Sequence, residues 1–307
     1  MEVVDLTQVT ADELEDLWQA ERRLWHDRLR WDVSATYEAL RRLVMRRSLS
    51  GKAVRIDGRV VAYACYVVVR QLAVIPALAV SPDGVRTGAG EALLRHSVEA
   101  MRGHGVRRIE SQFIRDDSLW LPAAFAREGF RTYWNEWLRL DMRRATPPAE
   151  ALPGASFEPW QEKYLGDCAA LLQAAYAGSI EAEAYGRYGT VEGCREVLES
   201  IASQGSCGPL LDRASVLAYD QGHAIGFVMV TAGAPLQGHI PQVAVAPAHQ
   251  GQGIGRMLLD YSVSRLSDSH YDTLSLVVSR MNLPAHKLYR AKGFQTVLTF
   301  PVFVWNA

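Results

Sequence analysis

The stretch Ala244–Leu259, AVAPAHQGQGIGRMLL, sets glycines at 251, 253 and 255 between an apolar run and a segment of helical spacing. A second stretch, Ala79–Leu94, AVSPDGVRTGAGEALL, follows it at a constant offset of 165. The two share Ala79/Ala244, Val80/Val245, Pro82/Pro247, Gly88/Gly253, Gly90/Gly255, Leu93/Leu258 and Leu94/Leu259. Farther on, the REGF ending at Phe130 answers the AKGF ending at Phe294 at an offset of 164. Similarity that keeps its order through strand, loop and helix marks an internal duplication, here an array of two copies.

Working outward from the second loop, Ile254, Met257, Leu258 and Tyr261 share one face at i, i+3, i+4 and i+7, which predicts an amphipathic helix over Gly253–Leu266. Before it come a strand at Ser156–Trp160, helices at Glu162–Ala177 and Val191–Ser203, and strands near Ser215–Tyr219, Ala224–Thr231 and His239–Val245. After it come a strand at Thr273–Ser279, a short helix opened by Pro284 and ended by Gly293, and the closing run TVLTFPVFVW. The first half has the same order. Its strands are expected at Val3–Leu6, Ala53–Ile56, Val60–Val69, Leu72–Val80, Arg108–Ile114 and Thr132–Leu140, and its helices at Thr10–Leu24, Ser34–Arg47 and Gly88–Met101, with a short one ending at Gly129. The segment RRATPPAEALPG, Arg143–Gly154, has three prolines and no apolar period and reads as a linker. Expected domains are therefore 1–143, a linker at 144–154, and 155–307. Each is an α/β (α+β) unit with a mixed, mostly antiparallel sheet flanked by helices.

A chain of 307 residues suits two domains. With 49% hydrophobic residues, 22% charged residues and a net charge of -1 it reads as globular, and no basic face points to nucleic acid. Val60–Val80 is apolar for about the length of a spanning helix. Arg70, Gln71 and Pro76 interrupt it, and its Val and Tyr content reads as two neighbouring buried strands, so no membrane partner is expected. Cys65, Cys168, Cys194 and Cys207 form no CxxC pair and no zinc-type spacing; no metal and a reduced, cytoplasmic setting are expected. The acidic start MEVVDLTQVTADELEDLW has no signal-peptide pattern.

Glycines opening a helix let a phosphate approach successive backbone amides. A P-loop would need Lys and Ser/Thr where Arg256 and Met257 stand, and a dinucleotide fingerprint would need glycine at Arg256. A tight turn without a ligand remains as the plain alternative. The pattern Q/R-x-x-G-x-G/A is met by Gln250, Gly253 and Gly255 behind the strand QVAVAP. In these residues the chain resembles the GNAT superfamily of acyl-CoA-dependent N-acyltransferases, over Asp212–Trp305 and more faintly over Gly51–Leu140.

The resemblance implies that Gln250, Gly251, Gln252, Gly253, Ile254, Gly255 and Arg256 hold the pyrophosphate of coenzyme A. It places the thioester of acetyl-CoA along Val243, Ala244 and Val245. Tyr289, in NLPAHKLYRAKGF, then takes the place of the proton donor to the thiolate, and Asn282 that of a pantetheine contact. His239, six residues before Val245, falls where a general base is often found. Acylating an amine needs a neutral nitrogen, a stabilised oxyanion and a proton for the leaving thiolate. A tyrosine of pKa about 10 and a histidine of pKa about 6.5 suit the proton steps. Read as bare residues, Tyr289 is equally a core aromatic, Asn282 an N-cap and His239 a polar strand end. Gln242 and the tyrosines of AYGRYG are rival substrate contacts. His249 and His286 are expected on solvated surfaces.

In the first copy Val85, Phe125 and Val74 stand where Gln250, Tyr289 and His239 stand in the second. Apolar side chains cannot move protons. The first half is accordingly expected to be a degenerate, non-catalytic domain that shapes the acceptor site of the second. The expected activity is transfer of acetyl from acetyl-CoA to a primary amine, by direct attack in a ternary complex, since no Cys or Ser nucleophile is well placed. A small-molecule amine is the expected acceptor. The alternatives are an acyl-CoA sensor without turnover, and a protein lysine or N-terminal acetyltransferase. A closed aromatic pocket from YAGSIEAEAYGRYG would favour the small amine.

Overall fold

The computed structural model describes residues 1–114, 120–145, 156–203, 205 and 207–307. From residue 146 onward the expected linker lies outside them. The chain forms two compact units, one of Met1–Trp134 with Leu298–Ala307, the other of Asn135–Val297.

In chain order the elements are β1 (Glu2–Asp5), α1 (Ala11–Leu24), α2 (Ser34–Met45), β2 (Gly51–Ile56), β3 (Arg59–Val69), β4 (Leu72–Val80), α3 (Pro82–Arg86), α4 (Ala89–Gly103), β5 (Arg108–Gln112), α5 (Trp120–Arg127) and β6 (Arg131–Asp141). There follow β7 (Ser156–Pro159), α6 (Leu165–Tyr176), α7 (Ile180–Ala184), α8 (Val191–Ala202), β8 (Val216–Asp220), β9 (His223–Ala234), β10 (Gln237–Val245), α9 (Ile254–Asp268), β11 (Thr273–Ser279), α10 (Leu283–Ala291) and β12 (Gln295–Asn306).

The second unit orders its strands β6-β11-β10-β9-β8-β7. Every neighbouring pair is antiparallel except β10 and β11. Period-2 alternation sends successive side chains to opposite faces. Val216, Ala218, Val228 and Val230 meet α9 and α10 in one core, whereas Leu217, Phe227 and Met229 meet α6 and α8 in another.

The first unit repeats the plan: β1-β2-β3-β4-β5 and then the C-terminal strand, antiparallel except at β4 and β5. Its two cores face α4 with α5, and α1 with α2. The apolar run Val60–Val80 is the β3–β4 hairpin. Among the described residues no helix is long and apolar enough to cross a membrane.

Both parallel pairs end at a proline. β10 pairs with β11 only over Gln237–Ile240, and β4 with β5 only over Leu72–Ile75. Pro241 and Pro76 come next, again 165 apart, and a residue without an N–H cannot continue the ladder. Beyond it β10 follows β9 alone to Val245, while β11 follows β6 alone to Ser279. The two strands part, and the end of β10 loses a neighbour on one side.

The units differ from the expected halves by one strand each. Asn135–Asp141 pairs with β11 and belongs to the second unit, and Leu298–Ala307 pairs with β5 and belongs to the first. Aromatic packing accounts for the second placement. Phe303 stacks on Phe125 at 3.9 Å between ring centroids, and Trp305 lies under the Arg102 guanidinium at 4.5 Å.

Candidate functional site

The loop after β10 delivers open amides to the start of α9. Gly251 and Gly253 have φ of 75° and 88°, the left-handed region that glycine enters without strain. Gly253 is the N-cap of α9, and no side chain caps the helix. The first intrahelical bond is donated by Met257 N to Gly253 O, at 3.1 Å. The amides of Ile254, Gly255 and Arg256 precede it and point out of the helix end. Gln250 donates to Val245 O at 3.1 Å and Gln252 to Ala248 O at 2.9 Å, so both glutamines brace the loop. Arg256 is exposed, 3.9 Å from Asp260.

Gly255 also sets the approach of α10. A Cβ there would lie 3.3 Å from Leu288 Cδ2, the residue beside Tyr289. The buried Lys292–Asp260 ion pair fastens the far end of α10 to α9. Tyr289 is buried, with Phe294 at 5.7 Å. Burial, and after it the charge of Glu181, push its hydroxyl pKa up. Asn282 is the expected N-cap, Oδ1 accepting from Ala285 N at 3.2 Å, and its Nδ2 also donates to Glu181 at 2.8 Å.

On the opposite face of the sheet, the turn between α6 and α8 packs three tyrosines. Tyr188 meets Tyr176 edge-on at 4.8 Å and Tyr185 at 5.9 Å. Gln242, just before Val243, donates to Tyr188 and accepts from Tyr176. Asn135 donates to Tyr185 at 2.7 Å. Burial, and charged neighbours including Glu181, push the Tyr176 pKa up; Tyr289 is near enough to act on it as well.

His239 lies in the part of β10 still paired with β11. It stacks on Trp137 at 5.0 Å, and its Nδ1 is 2.9 Å from Ser275 Oγ. Ser275 Oγ also lies 3.2 Å from Gly238 O, so a proton given to that carbonyl leaves its oxygen to accept from an Nδ1–H. Burial lowers the His239 pKa to about 3. His249 and His286, expected on solvated surfaces, are half-buried; His286 contacts Ser279 O at 3.2 Å and His249 stands 3.9 Å from Asp220.

The expected residues thus fall into two groups. Val243–Val245, the loop 250–256, Asn282 and Tyr289 surround the parted end of β10 and the start of α9, whereas His239 sits back in the paired sheet. Asn135, Trp137, Glu181 and Ser275 were not anticipated. None carries a local motif, and Asn135 and Trp137 lie about a hundred residues before the loop.

The first unit keeps the backbone and not the groups. Gly88 has φ of 74° and opens α4 without a side-chain cap. Trp120 covers the next turn, with ring atoms 2.6–2.9 Å from where a Cβ on Gly90 would stand. Phe125 is fully buried in the core. A cavity of about 890 Å³ opens between α1, the end of β4 and α3. Among its charges Arg59 pairs with Asp16 at 2.7 Å and Asp83 with the neighbouring Arg86.

A model of the Acetyltransferase (GNAT) family matches residues 11–130 and again 195–294. The chain belongs to the GNAT family. Its solved GNAT likenesses include a GCN5-related N-acetyltransferase from Sphaerobacter thermophilus, 18% identical, covering 99% of this chain and 95% of that one at a TM-score of 0.71. A tandem GNAT protein from the clavulanic acid biosynthesis pathway is also 18% identical, covering 99% and 98% at 0.62. A GCN5-related glucosamine N-acetyltransferase region of a fungal β-N-acetylglucosaminidase is 16% identical, covering 99% and 38% at 0.66. Such identities establish the fold, a tandem GNAT arrangement in which each unit has mixed, mostly antiparallel strands flanked by helices. No curated protein matches by sequence.

Proposed function

We propose that this protein transfers an acetyl group from acetyl-CoA to a small primary amine, and that the second unit carries the reaction. The observation behind the proposal is a contrast. Both units offer a glycine-opened helix beside a parted strand pair, but only the second sets a tyrosine where the first has Phe125, and only the first closes its helix start with Trp120.

In this reading the amides of Ile254, Gly255 and Arg256 receive the pyrophosphate of the substrate acetyl-CoA, with the Arg256 cation beside them. Gly251 and Gly253 shape the loop, and Gln250 and Gln252 hold that shape. The free side of Val243–Val245 offers backbone N–H groups to the thioester carbonyl, where they stabilise the oxyanion of the tetrahedral adduct. Tyr289 supplies the proton for the departing thiolate. Its raised pKa keeps Tyr289 protonated at neutral pH, so a proton is at hand when the C–S bond breaks. Cys65 and Cys194 have thiol pKa values pushed up to about 12 and about 11 by burial, and burial raises that of Cys168 too, which supports direct attack over a covalent enzyme intermediate.

His239 has a reference pKa of about 6.5. At about 3 it stays neutral and is a poor acceptor for an ammonium proton, so we assign it, with Trp137 and Ser275, to positioning the site floor. The aromatic enclosure of Tyr176, Tyr185 and Tyr188 favours a compact acceptor over a protein chain.

The test is release of free thiol from acetyl-CoA, followed across a panel of small primary amines and lysine peptides. Turnover with small amines is expected. Release with lysine peptides alone would refute the acceptor class. Tight acetyl-CoA binding with no release from any amine would favour sensing instead.

A further inference from the structure

The turn that carries the tyrosines also carries a carboxylate. Glu181 lies in the first turn of α7, half-buried, behind Ser179, whose hydroxyl caps the turn by accepting from Ala182 N at 3.3 Å. Oε1 of Glu181 accepts from Asn282 Nδ2 at 2.8 Å, and Asn282 is itself fixed by its cap on Ala285 N. The carboxylate is therefore held at the start of α10, two turns before Tyr289. Across the cluster Gln242 binds Tyr176 and Tyr188, and Gln242 adjoins the parted end of β10. Glu181 thus lies between the strand assigned to the thioester and the helix that bears the proton donor.

Among the described residues no Lys, Arg or His forms an ion pair with Glu181, and its second oxygen bonds to none of them. The groups that share its field are the hydroxyls of Tyr176 on α6, Tyr188 on the following turn and Tyr289 on α10, while His239 on β10 stays neutral. The carboxylate supplies a negative charge beside tyrosine rings, whose faces favour cations. The charge this site calls for is an ammonium ion brought by a ligand.

We infer that Glu181 is the anchor for the ammonium group of the acceptor and takes its proton before attack, an inference that rests on the transferase reading above. Transfer of the proton within the ion pair leaves two neutral groups, the amine among them ready to attack. The freed nitrogen lone pair forms the C–N bond while the carbonyl π pair moves to oxygen. When that pair returns, the C–S bond breaks and the thiolate takes the Tyr289 proton. The second nitrogen proton restores Tyr289, and Glu181 releases its own to water. Ammonium and thioester become amide, thiol and one proton.

The test compares Glu181→Gln with wild type on 2-phenylethylamine and its 2,2-difluoro analogue, which is of similar size and far less basic, so that it enters largely neutral. Gln still accepts from Asn282. The expected result is a loss of about 100-fold or more in kcat/KM for the basic amine. The fluorinated amine should lose no more than about threefold, and the melting temperature should not move. Equal losses on both amines, or none on either, would overturn the inference. If Glu181→Gln does not fold, Glu181→Asp keeps the charge and should keep the preference for the basic amine at lower kcat/KM; loss of that preference overturns the inference as well. If wild type acetylates neither these nor any other amine of the panel, calorimetric titration of both into the CoA complex decides. A tenfold weaker affinity of the variant for the ammonium form sustains the anchor while the transferase reading fails, and equal affinities remove both.

Discussion

Tyr289→Phe deletes one oxygen and leaves the ring in place, so its effects on folding and on chemistry separate. The ring lies in the core shared with Phe294, and its hydroxyl bonds to no other described residue. Removing it strands no donor or acceptor, so the stability change should stay below about 1 kcal/mol, a melting shift of at most about 4 °C for a domain of this size. A proton donor to a leaving group contributes about 10²–10⁴ in rate, or about 3–5 kcal/mol of barrier at 1.36 kcal/mol per decade. We therefore expect kcat to fall by at least about 100-fold, with KM for acetyl-CoA within about threefold of wild type. Burial raises the Tyr289 pKa, so the wild-type rate should also persist through pH 10, where an ordinary tyrosine gives up its proton. Steady-state thiol release at several pH values, paired with thermal melts, measures both. A variant that melts normally and keeps kcat within about threefold would refute the assignment of Tyr289 as the acid.

Three further outcomes follow from the geometry. His239 is neutral in the fold with a pKa of about 3 and takes up a proton near 6.5 when unfolded, so the stability it contributes is full above pH 6.5 and fades as pH falls toward 3. At pH 4.5 that loss is about 2.7 kcal/mol, and His239→Gln should lack it; equal acid sensitivity of both proteins in urea melts would contradict this. Lys292→Met removes the buried lysine partner of the Asp260 carboxylate and should cost about 3 kcal/mol, or about 6–12 °C in melting temperature. A shift under 2 °C would mean the pair is effectively solvated. Gly253→Ala and Gly88→Ala impose the same left-handed strain, about 1–2 kcal/mol, but only the first should weaken acetyl-CoA binding in calorimetry, by at least about fivefold. Equal weakening by both would place the binding site in both units.

How legible all this was depended on how local the signal is. The core of the second unit, β10 to α10, could be read to within a few residues because apolar spacing, Pro284 and Gly293 each act within a turn of the chain. Tyr289 and Asn282 could be named in advance because the family resemblance places such residues after the loop in a set order. The five-residue helices α3 and α7 are too short for a periodic pattern. Glu181, Asn135 and Trp137 reach the site only through tertiary packing, and nothing near them in sequence announces it. The burial of His239 was hidden for the same reason, since its depth depends on Trp137 from a strand far upstream. The matching prolines at 76 and 241 were a signal within reach, marking where each parallel pair stops. Alternation identified the closing segment as a strand but not its partner, because a strand pattern names the buried face and not the neighbouring edge.

That last placement bears on how the protein is made. During synthesis the ribosome releases β1 through α5 early, yet the segment that covers the open edge of β5, Leu298–Ala307, emerges only after the whole of the second unit. Until then a bare edge is available for wrong pairings, in an N-terminal body that would otherwise fold first. A protease cut in the segment after Arg144 would release two fragments, each lacking a strand its own body uses and retaining one that belongs to the other. The boundary between the ancestral copies and the boundary between folding bodies therefore fall in different places, and dissecting this protein into working parts calls for grafting β-strands across the cut.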